Sequence, residues 1–164
     1  MNFLNVKLME DKIIRDIDRL VQISNKLKAE GNKIVFGNGC FDILHVGHIR
    51  YLKGAKELGD YLIIAVNSDS SARTIKRPDG LVIPEDERLE ILAAIEHIDY
   101  VTIFAEPTVE NLLLKLKPHI HAKGTDYTKE TVPERDTVAS YGGQIAIVGD
   151  AKNHSSTEIK SRID

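Results

Sequence analysis

The sequence predicts an α/β fold, a five-stranded parallel sheet with helices on both faces. Three observations predict it. Apolar segments of strand length alternate with segments of helical periodicity. The strongest strand candidate, residues 61–67, is nearly all apolar, as a strand covered on both faces should be. Glycine and proline punctuate the segments regularly, and no internal repeat or low-complexity tract interrupts them.

The first element is a helix over 9–30, because Ile13, Ile14, Ile17, Leu20, Val21 and Leu27 recur at helical spacing. Gly31 and Asn32 stop it. Residues 33–36 form a short buried strand. Residues 48–58 form a helix with Ile49, Leu52, Ala55 and Leu58 along one side and Gly59 after its end. The strand 61–67 follows, and 68–84 reads as a polar loop holding at most one helical turn. Pro84 and three acidic residues open a helix over 85–95, since acidic side chains suit a helix N-terminus. Strand 100–104, helix 109–116 closed by Pro118, strand 120–123, helix 133–141 ended by Gly142 and Gly143, strand 144–148 and helix 156–163 complete the chain. Residues 1–164 are expected to form one domain, with 1–30 a helical extension packed on it. In such sheets ligands bind beyond the carboxyl ends of the strands. The loops that matter are therefore 37–47, 67–84, 123–132 and 149–156.

Composition narrows the function. The 164 residues carry 22 Lys plus Arg against 25 Asp plus Glu, a net charge of -3. Mild acidity argues against general nucleic-acid binding and leaves room for a small anionic ligand. The longest apolar run, 61–66, is too short to span a membrane. Residues 1–12 lack the apolar stretch of a signal peptide. One cysteine, Cys40, excludes an internal disulfide framework and a Cys-based zinc site, and a reducing cytoplasm is the simplest location.

The loop after the first strand reads Gly37-Asn38-Gly39-Cys40-Phe41-Asp42-Ile43-Leu44-His45-Val46-Gly47-His48. Two histidines lie three apart around a glycine where a helix opens. A helix N-terminus offers unpaired N–H groups and the positive end of its dipole, which attract phosphate. A single histidine there reads as a cap or a surface residue. The whole run after a strand reads as a phosphate-binding turn. The P-loop pattern is absent, and Asp42 stands where a dinucleotide fingerprint needs glycine. A zinc site on His45 and His48 lacks a third ligand nearby in sequence. His119 and His121 alternate on a strand, point to one face and read as structural.

The run from Gly39 to His48 resembles the His-x-Gly-His signature of the cytidylyltransferase-like nucleotidyltransferases. Around it, 31–36, Val66-Asn67-Ser68-Asp69, Lys123-Gly124-Thr125-Asp126-Tyr127, Tyr141-Gly142-Gly143 and Ser155-Ser156-Thr157 are similar to the adenylyltransferase domain of bacterial heptose 1-phosphate enzymes. The resemblance spans roughly residues 10–163 and implies a Rossmann-like sheet. It also implies a reaction in which a sugar phosphate attacks the α-phosphate of a nucleoside triphosphate and displaces pyrophosphate. Such a transfer needs in-line positioning and donors for developing charge more than covalent help.

By that resemblance His45 and His48 bind the triphosphate and stabilise the transferring group. Asp42 orients His45 or holds Mg²⁺, unless it is only a turn-forming residue. Gly39, Cys40 and Phe41 belong to the nucleotide-binding set, Cys40 as a small buried hydrophobe without thiol chemistry. Lys76 is the phosphate-binding lysine of the locally basic 68–78 loop, while Arg73 and Arg77 read as solvated surface. Arg88 reaches substrate phosphate, or else makes a helical ion pair with Glu85. Lys123, Gly124, Asp126 and Tyr127 hold base and ribose, with Tyr127 either stacking on the ring or filling a turn. Ser156 and Thr157 meet the triphosphate and Ser155 caps the last helix. His154 and Lys152 depart from the family's pattern before that run.

The resemblance implies ATP and D-glycero-D-manno-heptose 1-phosphate as substrates, nucleotide-bound Mg²⁺ with no metal held by the protein alone, a cytoplasmic enzyme and a homodimer. The rivals are a cytidylyltransferase for glycerol 3-phosphate or another small alcohol phosphate, a nucleotide-binding sensor without turnover, and a metal-binding protein.

Overall fold

A computed structural model describes residues 8–75, 81–151 and 154–163. Five parallel strands run in the order β3-β2-β1-β4-β5, with β1 Ile34–Gly39, β2 Tyr61–Asn67, β3 Tyr100–Phe104, β4 Ile120–Lys123 and β5 Gln144–Ile147. The register sets Ile34 of β1 against Tyr61 of β2 and Val35 against Ile120 of β4. Successive residues of each strand point to opposite faces of the sheet, and each face has its own core. One holds Val35, Leu62, Ile64 and Val66 under Leu52 and Ala55 of α3 (Val46–Lys56) and Leu89 and Leu92 of α5 (Glu85–Ala93). The other holds Ile34, Phe36, Ile63 and Ala65 under α2 (Ile17–Ala29), α6 (Glu110–Leu116) and Val138 of α7 (Arg135–Ser140). Each fully buried Leu or Ile contributes roughly 1.5–3 kcal/mol. The chain closes with α8, Ser156–Ser161.

Strands β2, β3 and β4 match the expected bounds, and two expectations are corrected. The expected 9–30 helix is broken into α1 (Met9–Lys12) and α2. Between them Ile13 bridges to Val101 and the Ile14 N–H donates to the Val101 carbonyl at 2.8 Å. This short extended piece covers the otherwise open edge of β3. Asp16 then starts α2 by accepting from the Asp18 and Arg19 N–H groups at 3.0 and 3.2 Å. Edge pairing and an N-cap inside the periodic stretch override its helical period.

The second correction concerns the serine-rich run after β2, which holds α4 (Asp69–Ile75) rather than a polar loop with one turn. Asp69 and Glu85 cap each other: the Asp69 N–H donates to Glu85 Oε2 at 2.7 Å, and the Glu85 N–H to Asp69 Oδ2 at 3.3 Å. A residue 16 positions away thus supplies the start signal.

His119 and His121 are structural, as the alternation implies. The Ile34 N–H donates to His119 Nδ1 at 2.9 Å. His121 is fully buried between Phe36 and Asn38, its Nε2 3.1 Å from Asn38 Oδ1. Burial, then Lys123, pushes its pKa down to about 3. The unfolded chain therefore binds a proton below pH about 6.5 that the folded protein refuses. Stability falls as pH drops from about 6.5 toward 3, with a limiting slope of about 1.4 kcal/mol per unit. Urea titrations across this window should show a shallower acid slope for His121→Gln. An unchanged slope assigns the acid sensitivity to other groups.

Candidate functional site

The site begins at the first turn of α3. His45 is its N-cap, and the two signature histidines complete the turn reciprocally. The Gly47 N–H donates to His45 Nδ1 at 3.2 Å, and the His45 N–H donates to His48 Nδ1 at 3.3 Å. An imidazole nitrogen that accepts carries no proton, so the ring proton of each neutral histidine lies on Nε2. The ring centroids are 4.0 Å apart. Burial, then the nearby His154, lowers the His45 pKa below the ordinary imidazole value. Gly47 is required by space: a Cβ there would lie 2.9 Å from the His45 ring.

This turn forms one wall of a cleft of about 570 Å³ at the carboxyl ends of the strands. The cleft gathers Gly39, Cys40, Phe41, His45 and His48 from the first loop, Lys123, Gly124, Asp126 and Tyr127 from the loop after β4, and Ser155, Ser156 and Thr157 from the start of α8. The loop that follows Gly39 meets the loop that begins at Lys123 because β1 and β4 are neighbours in the sheet. Phe41 holds a left-handed backbone, φ 50°, while only 7% exposed. For an aromatic residue that conformation costs on the order of 1–3 kcal/mol, offset here by packing.

Two predicted site residues face away from the cleft. Arg88 neither lines it nor makes the expected ion pair with Glu85. Its side chain is fully buried and donates to the carbonyls of Cys40 (2.6 Å), Asn67 (2.9 Å) and Ile83 (3.0 Å) and to Asp69 Oδ1 (2.8 Å). The planar guanidinium fits this fixed set of acceptors and joins the loops after β1 and β2 to the start of α5. Asp42 is also a brace: it accepts from the Val82 and Ile83 N–H groups at 3.0 and 2.9 Å and pairs with Lys160 of α8. Burial pushes its pKa up, but Lys160 and the two N–H groups outweigh that and hold it below the usual carboxylate value. With both oxygens so engaged it neither orients His45 nor offers itself to Mg²⁺. Among the described residues no group of three acidic, His or Cys side chains is arranged to hold a metal ion.

Lys76 and Lys152 lie outside the described residues. Ser155 is the cap, accepting from the Glu158 N–H at 3.0 Å. The Ser156 hydroxyl donates to the Ile43 carbonyl at 2.7 Å, so its one proton pins α8 to the first loop instead of pointing at a ligand. Thr157 lines the cleft with no side-chain hydrogen bond among the described residues. Lys123 is 3.4 Å from Glu134 and lies over the Tyr127 ring, 4.8 Å from its centroid.

Sequence reasoning missed several lining residues. Tyr51 crosses beneath β1, its hydroxyl donating to the Ala122 carbonyl at 2.8 Å. It passes Gly37 so closely that a Cβ there would meet its oxygen at 2.3 Å. Asn38, Thr108 and Glu134 also line the cleft. Glu134 follows Pro133 at a helix start, a pattern that signals a cap and gives no sign of an ion pair across the cleft.

Residues 36–162 match the profile of the cytidylyltransferase-like family. Over 153 residues the chain is 48% identical to the bifunctional protein HldE of Pelobacter propionicus and to that of Geobacter metallireducens, covering 93% of this chain and 31% of each relative. The chain thus spans about a third of the length of these relatives. Among solved structures, a lipopolysaccharide core biosynthesis protein from Thermoplasma volcanium superposes with a TM-score of 0.66 at 29% identity, covering 74% of this chain and 100% of that one. Pantoate–beta-alanine ligase from Francisella tularensis superposes with a TM-score of 0.61 at 20% identity, covering 90% of this chain and 75% of that one, and shares the fold.

The Arg88 brace predicts a large penalty. Arg88→Met leaves buried carbonyls and Asp69 without their cation and should lower stability by about 3–5 kcal/mol, read from urea unfolding. A loss below about 1 kcal/mol contradicts the bracing role.

Proposed function

Because the chain belongs to the cytidylyltransferase-like family, we propose that it transfers AMP from ATP to D-glycero-D-manno-heptose 1-phosphate. The products are ADP-heptose, for surface glycan assembly, and pyrophosphate. The observation that carries this reading is the pair of imidazoles at the α3 N-terminus, each with Nδ1 occupied by a backbone N–H. The heptose assignment is supported by the ordered set of motifs and by the similarity to the HldE proteins and the lipopolysaccharide core protein.

A phosphate oxygen of the sugar phosphate attacks the α-phosphorus, a new P–O bond forms, and the bond to the β-phosphate breaks. The attacking oxygen is already anionic, so no general base is required. The residues' task is alignment and charge stabilisation. His45 and His48 donate Nε2–H to phosphoryl oxygens where charge develops, and the positive end of the α3 dipole acts in the same direction. Lys123 and Tyr127 flank the nucleoside, and Thr157 offers its hydroxyl to the phosphates. Gly39, Cys40 and Phe41 line the nucleotide, and Gly124 and Asp126 hold the ribose side. Lys76 belongs to the same reading as a phosphate-binding lysine. A nucleotide-bound Mg²⁺ would offset part of the triphosphate's charge, held by the nucleotide rather than by protein side chains.

In the same reading residues 1–164 are one domain, supported by the bond from Ile14 to Val101 and the packing of α2 on α6. Among the described residues no helix is long and apolar enough to cross a membrane. Use of ATP supports a cytoplasmic location. The family resemblance and the prevalence of two-fold assemblies support a homodimer.

A pyrophosphate-release assay with ATP, Mg²⁺ and the heptose phosphate tests the reading. His48→Ala and His45→Ala should each lower kcat by about 10²–10³, or roughly 2.7–4 kcal/mol. Near-normal turnover in both variants removes the imidazoles from the chemistry. In the same assay ATP should exceed CTP at least about tenfold in kcat/KM, equivalent to about 1.4 kcal/mol. A preference for CTP with glycerol 3-phosphate establishes the cytidylyltransferase rival instead.

A further inference from the structure

We propose that His154 is a third phosphoryl-binding imidazole, placed to hold the polyphosphate tail of the nucleotide. The inference rests on the nucleotidyl-transfer reading and extends it to a residue outside the signature motifs. The His45 ring neighbours both others, its centroid 4.0 Å from His48 and 6.1 Å from His154. A Cβ built on Gly47 would lie 3.7 Å from the His154 Cβ, so His154 stands over the first turn of α3. It lines the same cleft. It makes no hydrogen bond or ion pair among the described residues, so nothing there engages its ring nitrogens. Its backbone is anchored on the C-terminal side, where Ser155 caps α8 and Ser156 is bonded to the Ile43 carbonyl.

The row runs from half-buried His48 and His45 to exposed His154. A linear chain of phosphoryl groups meets successive donors in such a row, whereas a single phosphate engages one or two. The neighbouring cleft carboxylate, Asp150, is paired with Arg50, which limits its repulsion of an anion. Proximity of His154 also disfavours a charge on His45, and a bound polyanion offsets that repulsion. His154 is therefore a binding and positioning residue, while the bond-making donors remain His45 and His48.

The test compares wild type, His154→Ala and His154→Arg by steady-state kinetics and by calorimetric titration with inorganic tripolyphosphate and, separately, with the sugar phosphate. His154→Ala should raise the KM for ATP about tenfold, with a smaller loss of kcat, and weaken tripolyphosphate binding by a similar factor. His154→Arg, which restores hydrogen-bond donors at this position, should recover most of the affinity. Sugar-phosphate affinity should be unchanged. Weakened sugar-phosphate binding with normal tripolyphosphate binding overturns the assignment to the tail. Unchanged constants in both variants, with wild type turning over normally, overturn the inference and leave the nucleotidyl-transfer reading standing. A wild-type protein that neither binds tripolyphosphate nor releases pyrophosphate removes both.

Discussion

A single buried cation holds the mouth of this cleft together. The Arg88 guanidinium takes carbonyl oxygens from the ends of β1 and β2 and from the segment before α5, and adds the Asp69 carboxylate. Three loops that would otherwise move independently are thus tied to one planar group on a helix anchored by Leu89 and Leu92. Asp42 ties the first loop to the Val82 and Ile83 backbone and, through Lys160, to α8. The two braces lie behind the cleft wall. They fix the backbone from which the histidines project, and a donor constellation is useful in proportion to how firmly its support is fixed.

On that support, the first turn of α3 performs two tasks with the same residues. Each imidazole satisfies a backbone N–H that a helix N-terminus leaves unpaired, and accepting that bond at Nδ1 sets the proton on Nε2. Capping and presenting a donor are thus one arrangement. Gly47 is the only residue type between the histidines that leaves room for it, since a Cβ would meet the His45 ring at 2.9 Å. His45 is a cap, and the bond that makes it one leaves the ring proton on Nε2.

The sheet was legible in the sequence because its strands are short apolar runs between turn residues, a local signal. The 61–67 strand and the loops beyond the strand ends follow from that pattern alone. The break at Ile13 was not legible, because pairing with Val101 is a long-range event. The same holds for α4, whose start depends on Glu85. At the site, His45, His48, Lys123 and Tyr127 line one cleft, as their places beyond strand ends and the family resemblance implied. Motif spacing could not separate a charged residue that lines a cleft from one that braces it. Arg88 and Asp42 carry the right chemistry for a phosphate or a metal, and only their buried partners reveal that the chemistry is already spent. Tyr51 and Glu134 were missed for the converse reason: their positions read as helix interior and helix start.

The Nδ1 atoms of His45 and His48 accept backbone N–H groups, which sets the ring proton of each neutral imidazole on Nε2. Long-range proton–nitrogen correlation of the imidazole rings in uniformly ¹⁵N-labelled protein at neutral pH tests it directly. Both residues should show a protonated Nε2 and an unprotonated, hydrogen-bonded Nδ1, with each assignment lost in the matching His→Ala variant. A protonated Nδ1 at either residue, or an averaged signal from rapidly exchanging tautomers, contradicts the account.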